Sequence, residues 1–294
     1  MIDFLKWRKA SALFSLTLLL LFAGLSVYRY QTRGELFSYS IDFTGGVQLL
    51  LRSDSPIGDA SLKDVLSANG WEGSSVRMLS NNEVIIRVKE FSSETKNIAQ
   101  SILSSLQAAF PEKNIVLLEN ESVGPGVGES LRWRALYVIF LGLLILLGYI
   151  ALRFWSFAYG AGAVVALAHD ALVILAIFLF LDREISVNVI GAILAILGYS
   201  INDTIVIFSQ IRETLKKHSG ESLEHVVNIS LNKTFRRTIL TSISTGLPVI
   251  IILIFGGEAL YDLSLALLVG IVFGTYSSIY VASPVMMYVR SKIG

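Results

Sequence analysis

Six long apolar runs, at residues 10–28, 133–152, 156–181, 185–207, 237–255 and 259–289, dominate the pattern of this 294-residue chain. Each approaches or exceeds the roughly 20 residues that a helix rising 1.5 Å per residue needs to cross about 30 Å of hydrocarbon. Lipid offers no water to backbone polar groups, so each run is expected to close its own hydrogen bonds as a helix. The first follows Lys6, Arg8 and Lys9 and superficially resembles a secretory signal. Its length, with no small-x-small cleavage pattern after it, predicts an uncleaved span instead. The last run is long for an upright crossing and is expected to tilt or break around Gly270, Gly274 or Pro284.

Between the first two runs the rhythm changes. A strand pattern at 46–52 precedes a helix pattern at 61–69 that Gly70 stops. Two β patterns follow, 74–79 and 83–89, joined by Ser80, Asn81 and Asn82. The second alternates apolar and polar residues as a half-buried strand does. A helix at 93–110 places Ile98, Ile102, Leu106 and Phe110 on one face, with Pro111 just past its end. A strand at 114–118 completes the order β-α-β-β-α-β, which predicts a small α+β domain of ferredoxin-like type. The glycines of the 123–128 stretch invite a phosphate-loop reading. No Lys-Ser/Thr follows them and the segment opens into a span, so it reads as a linker. The expected organisation is a cytoplasmic N-terminus and first span over 1–29, an extracytoplasmic α+β domain with linkers over 30–131, and a five-helix bundle over 132–294 with a cytoplasmic loop at 210–235.

Composition agrees with lipid as part of the solvent: 53% of residues are hydrophobic and 16% charged, and the mean hydropathy is +0.64. Basic and acidic residues number 24 and 23, leaving no overall field that would attract nucleic acid. With no cysteine there is no thiolate catalysis, disulfide framework or sulfur-ligated metal. Orientation follows from the short loops, because Lys and Arg resist translocation. One side holds Lys6, Arg8, Lys9, Arg153, Lys216, Arg236 and Arg290 with their basic neighbours; among the short connections of the other only Arg183 appears. Both termini are therefore expected in the cytoplasm.

The informative residues are those that lipid penalises. Asp203 lies about nine residues, roughly 13 Å, inward from Arg212. A carboxylate at such depth costs about 2.5–3.5 kcal/mol and calls for a partner, a water cavity or a proton. The competing reading ends the helix near Ser200 and leaves Asp203 at the interface, but the apolar residues 205–208 oppose it. Asn202 and Thr204 flank the carboxylate. His169 and Asp170 sit midway along the third run, as a relay or as a buried pair that fixes packing. They do not make a metal site, since two ligands are too few. Arg237 opens the fifth run, followed by Thr238, Thr241, Ser242, Ser244 and Thr245. This polar stripe suggests contact with another helix or water, and Arg237 stands at a depth from which it could reach Asp203. Headgroup snorkelling is the alternative for Arg236 and Arg237.

Several segments together are similar to one family. They are Asp42-Phe-Thr-Gly45-Gly46 outside the first span, Ala168-His-Asp-Ala171 in the third, Gly198-Tyr-Ser-Ile-Asn-Asp-Thr204 with Ile211-Arg-Glu213 in the fourth, and Asn232 with Arg237-Thr-Ile-Leu-Thr-Ser242 in the fifth. The chain resembles, over its whole length, the SecF side of the SecD/SecF protein-export membrane proteins of the resistance-nodulation-division superfamily. Ser209-Gln210 departs from the Asp-Arg of many relatives. The resemblance implies a non-enzymatic subunit in a bacterial or archaeal cytoplasmic (inner) membrane. It would pair with SecD, work with the SecYEG channel and further small accessory subunits, and contact lipid and an unfolded translocating polypeptide. It implies no cofactor beyond a coupling ion, H⁺ or Na⁺, and makes Asp203, Arg237, Asn202 and Thr241 residues of the ion pathway. A small-molecule exporter of the same superfamily would usually need two large outer domains per chain; a passive structural subunit is the other rival. An intramembrane protease lacks its motifs here: no Gly-x-Ser-x-Gly, no His-Glu-x-x-His and no second membrane aspartate in a Gly-x-Gly-Asp setting.

Overall fold

The computed structural model describes residues 1–79, 82–88, 95–124, 127–218 and 220–293. The chain divides into two units, Met1–Ser38 with Leu136–Gly294, and Tyr39–Ala135. In the smaller unit, β1 (Gly46–Arg52), β2 (Ser75–Met78), β3 (Glu83–Val88) and β4 (Val116–Val123) form one sheet in the order β2-β3-β1-β4. All three pairings are antiparallel. One strand therefore separates each helix-linked pair: β3 lies between β1 and β2, and β1 between β3 and β4.

Alternation along β1 and β3 determines the core. Register pairs Val47 with Val88, Leu49 with Ile86 and Leu51 with Val84, placing all six side chains on one face. Against them pack Leu62 and Leu66 of α3 (Asp59–Ala68) and Ile102 and Leu106 of α4 (Thr95–Ala109). The expected strand at 114–118 extends instead to Val123, because β1 offers a partner along its whole length. The connection at Ser80 and Asn81, Lys89, the helix start at Ser93, and Pro125 and Gly126 of the linker lie outside the described residues.

Among the described residues, six helical segments are long and apolar enough to cross a membrane. They are built on α1 (Arg8–Arg33), α5 (Val127–Phe154), α6 (Phe157–Phe180), α7 (Val187–Lys217), α8 (Leu223–Phe255), and α9 (Gly257–Ser277) with α10 (Ser283–Ile293). Within the most apolar window, 56% of residues are buried in the third segment and 50% in the fourth, against 11% in the first and 6% in the second. Helices α6 and α7 are thus central, while α1 and α5 keep most of their surface outward. At close contacts the side chains are small. A Cβ on Gly274 of α9 would stand 3.1 Å from Ser200, and one on Gly162 of α6 would stand 2.6 Å from the Ala282 carbonyl.

Three expected boundaries need correction. Helix α1 continues past residue 28 to Arg33, since Arg29 and Arg33 are held by Asp182; Gly34 stops it with φ +73° and an N–H bonded to the Tyr30 carbonyl. The membrane unit accordingly retains residues 34–38. Residues 210–235 are not a loop: α7 runs to Lys217 and α8 begins at Leu223, capped by the Ser222 hydroxyl. Charged residues such as Arg212 and Glu213 end an apolar run without ending a helix, for which they are good formers. The last segment breaks as expected, through a π turn at Ser278–Ala282 just before Pro284. Proline has no N–H for the Tyr280 carbonyl four residues back, and within the turn the Ser283 hydroxyl donates to the Ser278 carbonyl (3.3 Å).

Candidate functional site

Two polar clusters occupy the centre of the membrane unit. Asp203 is only 4% exposed and lies well inside α7, not at its end. Thr241 of α8 donates to its Oδ1 at 3.4 Å. That single hydroxyl also points at the carbonyls of Arg237 (3.1 Å) and Thr238 (2.9 Å), which compete for its one proton. Oδ2 has no hydrogen-bond partner among the described residues. Arg237 is exposed on α8, within electrostatic reach of the carboxylate. No ion pair within 4 Å joins the two among the described residues, so the expected contact is not made in this conformation. Asn202 points outward, because a residue adjacent on a helix is rotated by about 100°.

One turn earlier on α7, Ser200 donates to Oδ2 of Asp170 at 2.7 Å. Asp170 is 0% exposed, and His169 beside it is 5% exposed. His169 Nε2 lies 3.1 Å from the Ser15 hydroxyl of α1, which lies 3.0 Å from the Tyr276 hydroxyl of α9. Tyr276 donates to the Ser11 carbonyl (2.8 Å). Further bridges join Thr204 to Ser278 (3.1 Å) and Ser242 to Thr275 (2.6 Å). These are hydroxyl contacts between helices, the kind that replace water where none is present. Reading the sequence missed Ser15 and Tyr276. Serines at 11 and 15, one turn apart in an apolar run, were the available signal.

Asp42, Gly45 and Gly46 belong to the smaller unit. Ser40 caps the short helix α2 (Ile41–Thr44), accepting from the Asp42 N–H and donating to its carboxylate (3.0 Å). Gly45 and Gly46, at φ +73° and +123°, turn the chain into β1. A Cβ on Gly128 would stand 2.7 Å from the Phe43 carbonyl group, so α5 starts directly against this turn. The motif is a backbone device that only glycine builds cheaply.

Charges cluster again beyond the ends of the spans. Asp182 accepts from Arg29 (2.6 Å), Arg33 (3.0 Å) and Ser38 (3.1 Å). Partial burial opposes its ionisation, but these donors outweigh that and hold its carboxyl below the usual range. Arg183 bonds Asp262 and Glu258 and stacks over Tyr261 at 4.5 Å. Burial alone would lower its pKa, and the two carboxylates raise it instead.

Fold and site define a polytopic α-helical membrane protein with carboxylates buried in its central helices and a small α+β unit between its first two spans. Residues 102–292 match the family described as protein export membrane protein SecD/SecF, C-terminal, and residues 37–57 match the SecD/SecF GG motif. The chain belongs to the SecD/SecF family. It is 38% identical to the protein translocase subunit SecF of Rhodothermus marinus, over 98% of this chain and 93% of that one. Against SecF of Haemophilus influenzae the identity is 37%, covering 95% and 83%. The crystal structure of SecDF from Thermus thermophilus superposes with a TM-score of 0.87 at 34% identity, over 99% of this chain and 39% of that chain. The chain thus spans about two-fifths of the length of that SecDF protein.

Proposed function

We propose that this chain is the SecF-type subunit of a Sec protein-export assembly and that Asp203 carries its coupling ion. Partnership with SecD is supported by the Thermus thermophilus SecDF protein, in which one longer chain contains a counterpart of this one. Cooperation with the SecYEG channel and small accessory subunits is part of the same proposal. The membrane is the cytoplasmic one, with both termini inside and residues 39–135 outside, an orientation supported by the excess of Lys and Arg on one set of short connections.

The observation that carries the ion-coupling reading is the poor satisfaction of Asp203. A buried carboxylate with one shared donor and one unpartnered oxygen is costly as an anion and easily relieved by a proton or a small cation. Arg237, unpaired with it here yet within electrostatic reach, favours the ionised form whenever α8 brings the two closer. Uptake and release would then alternate two helix arrangements. Each charge crossing about 100 mV supplies about 2.3 kcal/mol to bias them. The test uses vesicles containing this chain, its partner subunit and the channel, with an imposed proton or sodium gradient. Asp203→Asn is expected to abolish gradient-dependent stimulation of export while leaving gradient-independent export in place. Undiminished stimulation in the variant would refute the reading, and the gradient that works identifies the ion.

A further inference from the structure

The Asp203 reading leaves unused the most deeply buried carboxylate among the described residues. Asp170 has no exposed surface; Ser200 donates to one of its oxygens, and the Ser277 hydroxyl of α9 also lies against the carboxylate. The other, Oδ1, has no hydrogen-bond partner among the described residues, and neither has Nδ1 of His169. These two orphans face each other at 3.6 Å, too long for a formed hydrogen bond and short enough for one proton to serve both after a small side-chain rotation. The remaining atoms of the pair are fixed: Nε2 by Ser15, Oδ2 by Ser200. Gly274 lets α9 close over this point, a Cβ there standing 3.6 Å from Asp170 Oδ2.

We propose that His169 and Asp170 form a second intramembrane proton-holding site, separate from Asp203, in which one proton is shared between Nδ1 and Oδ1. With the proton present the pair is neutral overall, as carboxylic acid with imidazole or as carboxylate with imidazolium. Losing it leaves a carboxylate beside a neutral imidazole, a net charge of −1. Only an O–H or N–H bond is made or broken; the proton comes from a neighbouring donor and leaves to a neighbouring acceptor. The inference rests on the ion-coupled reading only for the purpose of that proton.

The surroundings limit what can exchange with it. Among the described residues, helix α1 presents the Ser15 hydroxyl and the Ser11 carbonyl. Helix α9 presents Tyr276, and the π turn presents Tyr280, whose ring lies 5.4 Å from that of Tyr276. The basic residues of α10 are confined to its last turn. Helix α7 brings Ser200 and, one turn on, Asp203; Arg237 of α8 stands beyond Asp203. Ser200 and Asp203 stand three residues apart on α7, so one strip of that helix carries both the donor to Asp170 and the second carboxyl group.

Infrared difference spectroscopy during pH titration, on this chain with its partner subunit in lipid, tests the proposal. A protonated-carboxyl band that appears and disappears between about pH 4 and about pH 10 is expected. Asp170→Asn should remove it and Asp203→Asn should leave it. His169→Gln, which keeps a donor toward Ser15, should move its midpoint by about one pH unit or more. Ser200→Ala, the mildest change, should move it by about one unit through loss of a bond to a charged group. The proposal is overturned if, in the Asp203→Asn background, the remaining band survives Asp170→Asn, never titrates, or keeps its midpoint in both His169→Gln and Ser200→Ala. A midpoint set by sodium at fixed pH also overturns it, marking the carboxylate as a cation ligand. Because the Asp203→Asn sample reports on its own carboxyl band, failure here is separate from failure of the coupling role of Asp203.

Discussion

The two units of this protein bury opposite things. In the 39–135 unit the interior is Leu49, Leu51, Leu62, Leu66, Ile86, Ile102 and Leu106, and polar pairs such as Arg52 with Glu83 lie at its surface. In the membrane unit, although Phe178 and Phe208 are buried, many large apolar side chains point outward: Leu21 is 68% exposed and Phe255 80%. Asp170, Ser200, Thr204, Ser277 and Ser278 are buried instead. Water drives the first arrangement by expelling apolar surface. Lipid supplies no such force between helices, so close backbone approach and hydroxyl contacts hold the second together. A buried carboxylate that would be a fault in the first unit is, in the second, the group to which the proposed ion-holding role is given.

The same substitution made in both units should show this most strongly. Leu62→Ala removes a fully buried side chain from the core of the smaller unit and should cost about 2–5 kcal/mol. Leu21→Ala on the outward face of α1 should change stability by about 0.5 kcal/mol or less. Hydrogen exchange on the full chain in lipid reads both. Comparable losses at the two sites would mean that the units do not differ in what stabilises them. A smaller contrast lies within the membrane unit. Gly162→Ala pushes a methyl group against the Ala282 carbonyl and should cost about 1–3 kcal/mol, whereas Gly148→Ala meets nothing within 4 Å. Denaturant titration in micelles should place Gly148→Ala within about 0.5 kcal/mol of the parent chain. Equal effects of the two would remove close helix approach as the organising contact.

Legibility in the sequence also divided along this line. Span count, the strand and helix order of residues 46–123, and the depth of Asp203 were readable because each depends on local periodicity or on a cost imposed by lipid. Helix ends were not, since Arg33 and Lys217 continue helices for reasons of propensity and distant pairing that an apolar run does not record. Contacts that depend on which helix faces meet were also hidden. The Ser15–Tyr276 bridge joins residues 261 positions apart. So were the carboxamides of Asn228 and Asn232, which accept from the N–H groups of Phe4 and Ile2 and tie the first residues to α8. Arg237 was readable as a charge near Asp203, but its separation from that group in this conformation was not.

The smallest effect sharpens the comparison, because it falls where the membrane unit meets water. Ionised Asp182 is favoured in the folded chain by Arg33, Arg29 and Ser38, whose pull exceeds the opposing effect of partial burial, so its folded pKa lies below that of the unfolded chain. Its contribution is therefore complete above the unfolded value of about 3.9 and is lost as pH falls through the lower folded value. Its side chain is 45% exposed, so solvent and salt reduce the contribution to about 0.2–1 kcal/mol. Asp182→Asn should lower stability by that amount near neutral pH and by less as acid neutralises the parent carboxylate, the two curves converging below about pH 4. Raising ionic strength at neutral pH should narrow the same gap. A gap independent of both pH and salt would show that Asp182 acts by shape, through its positive-φ turn after α6, and not by charge.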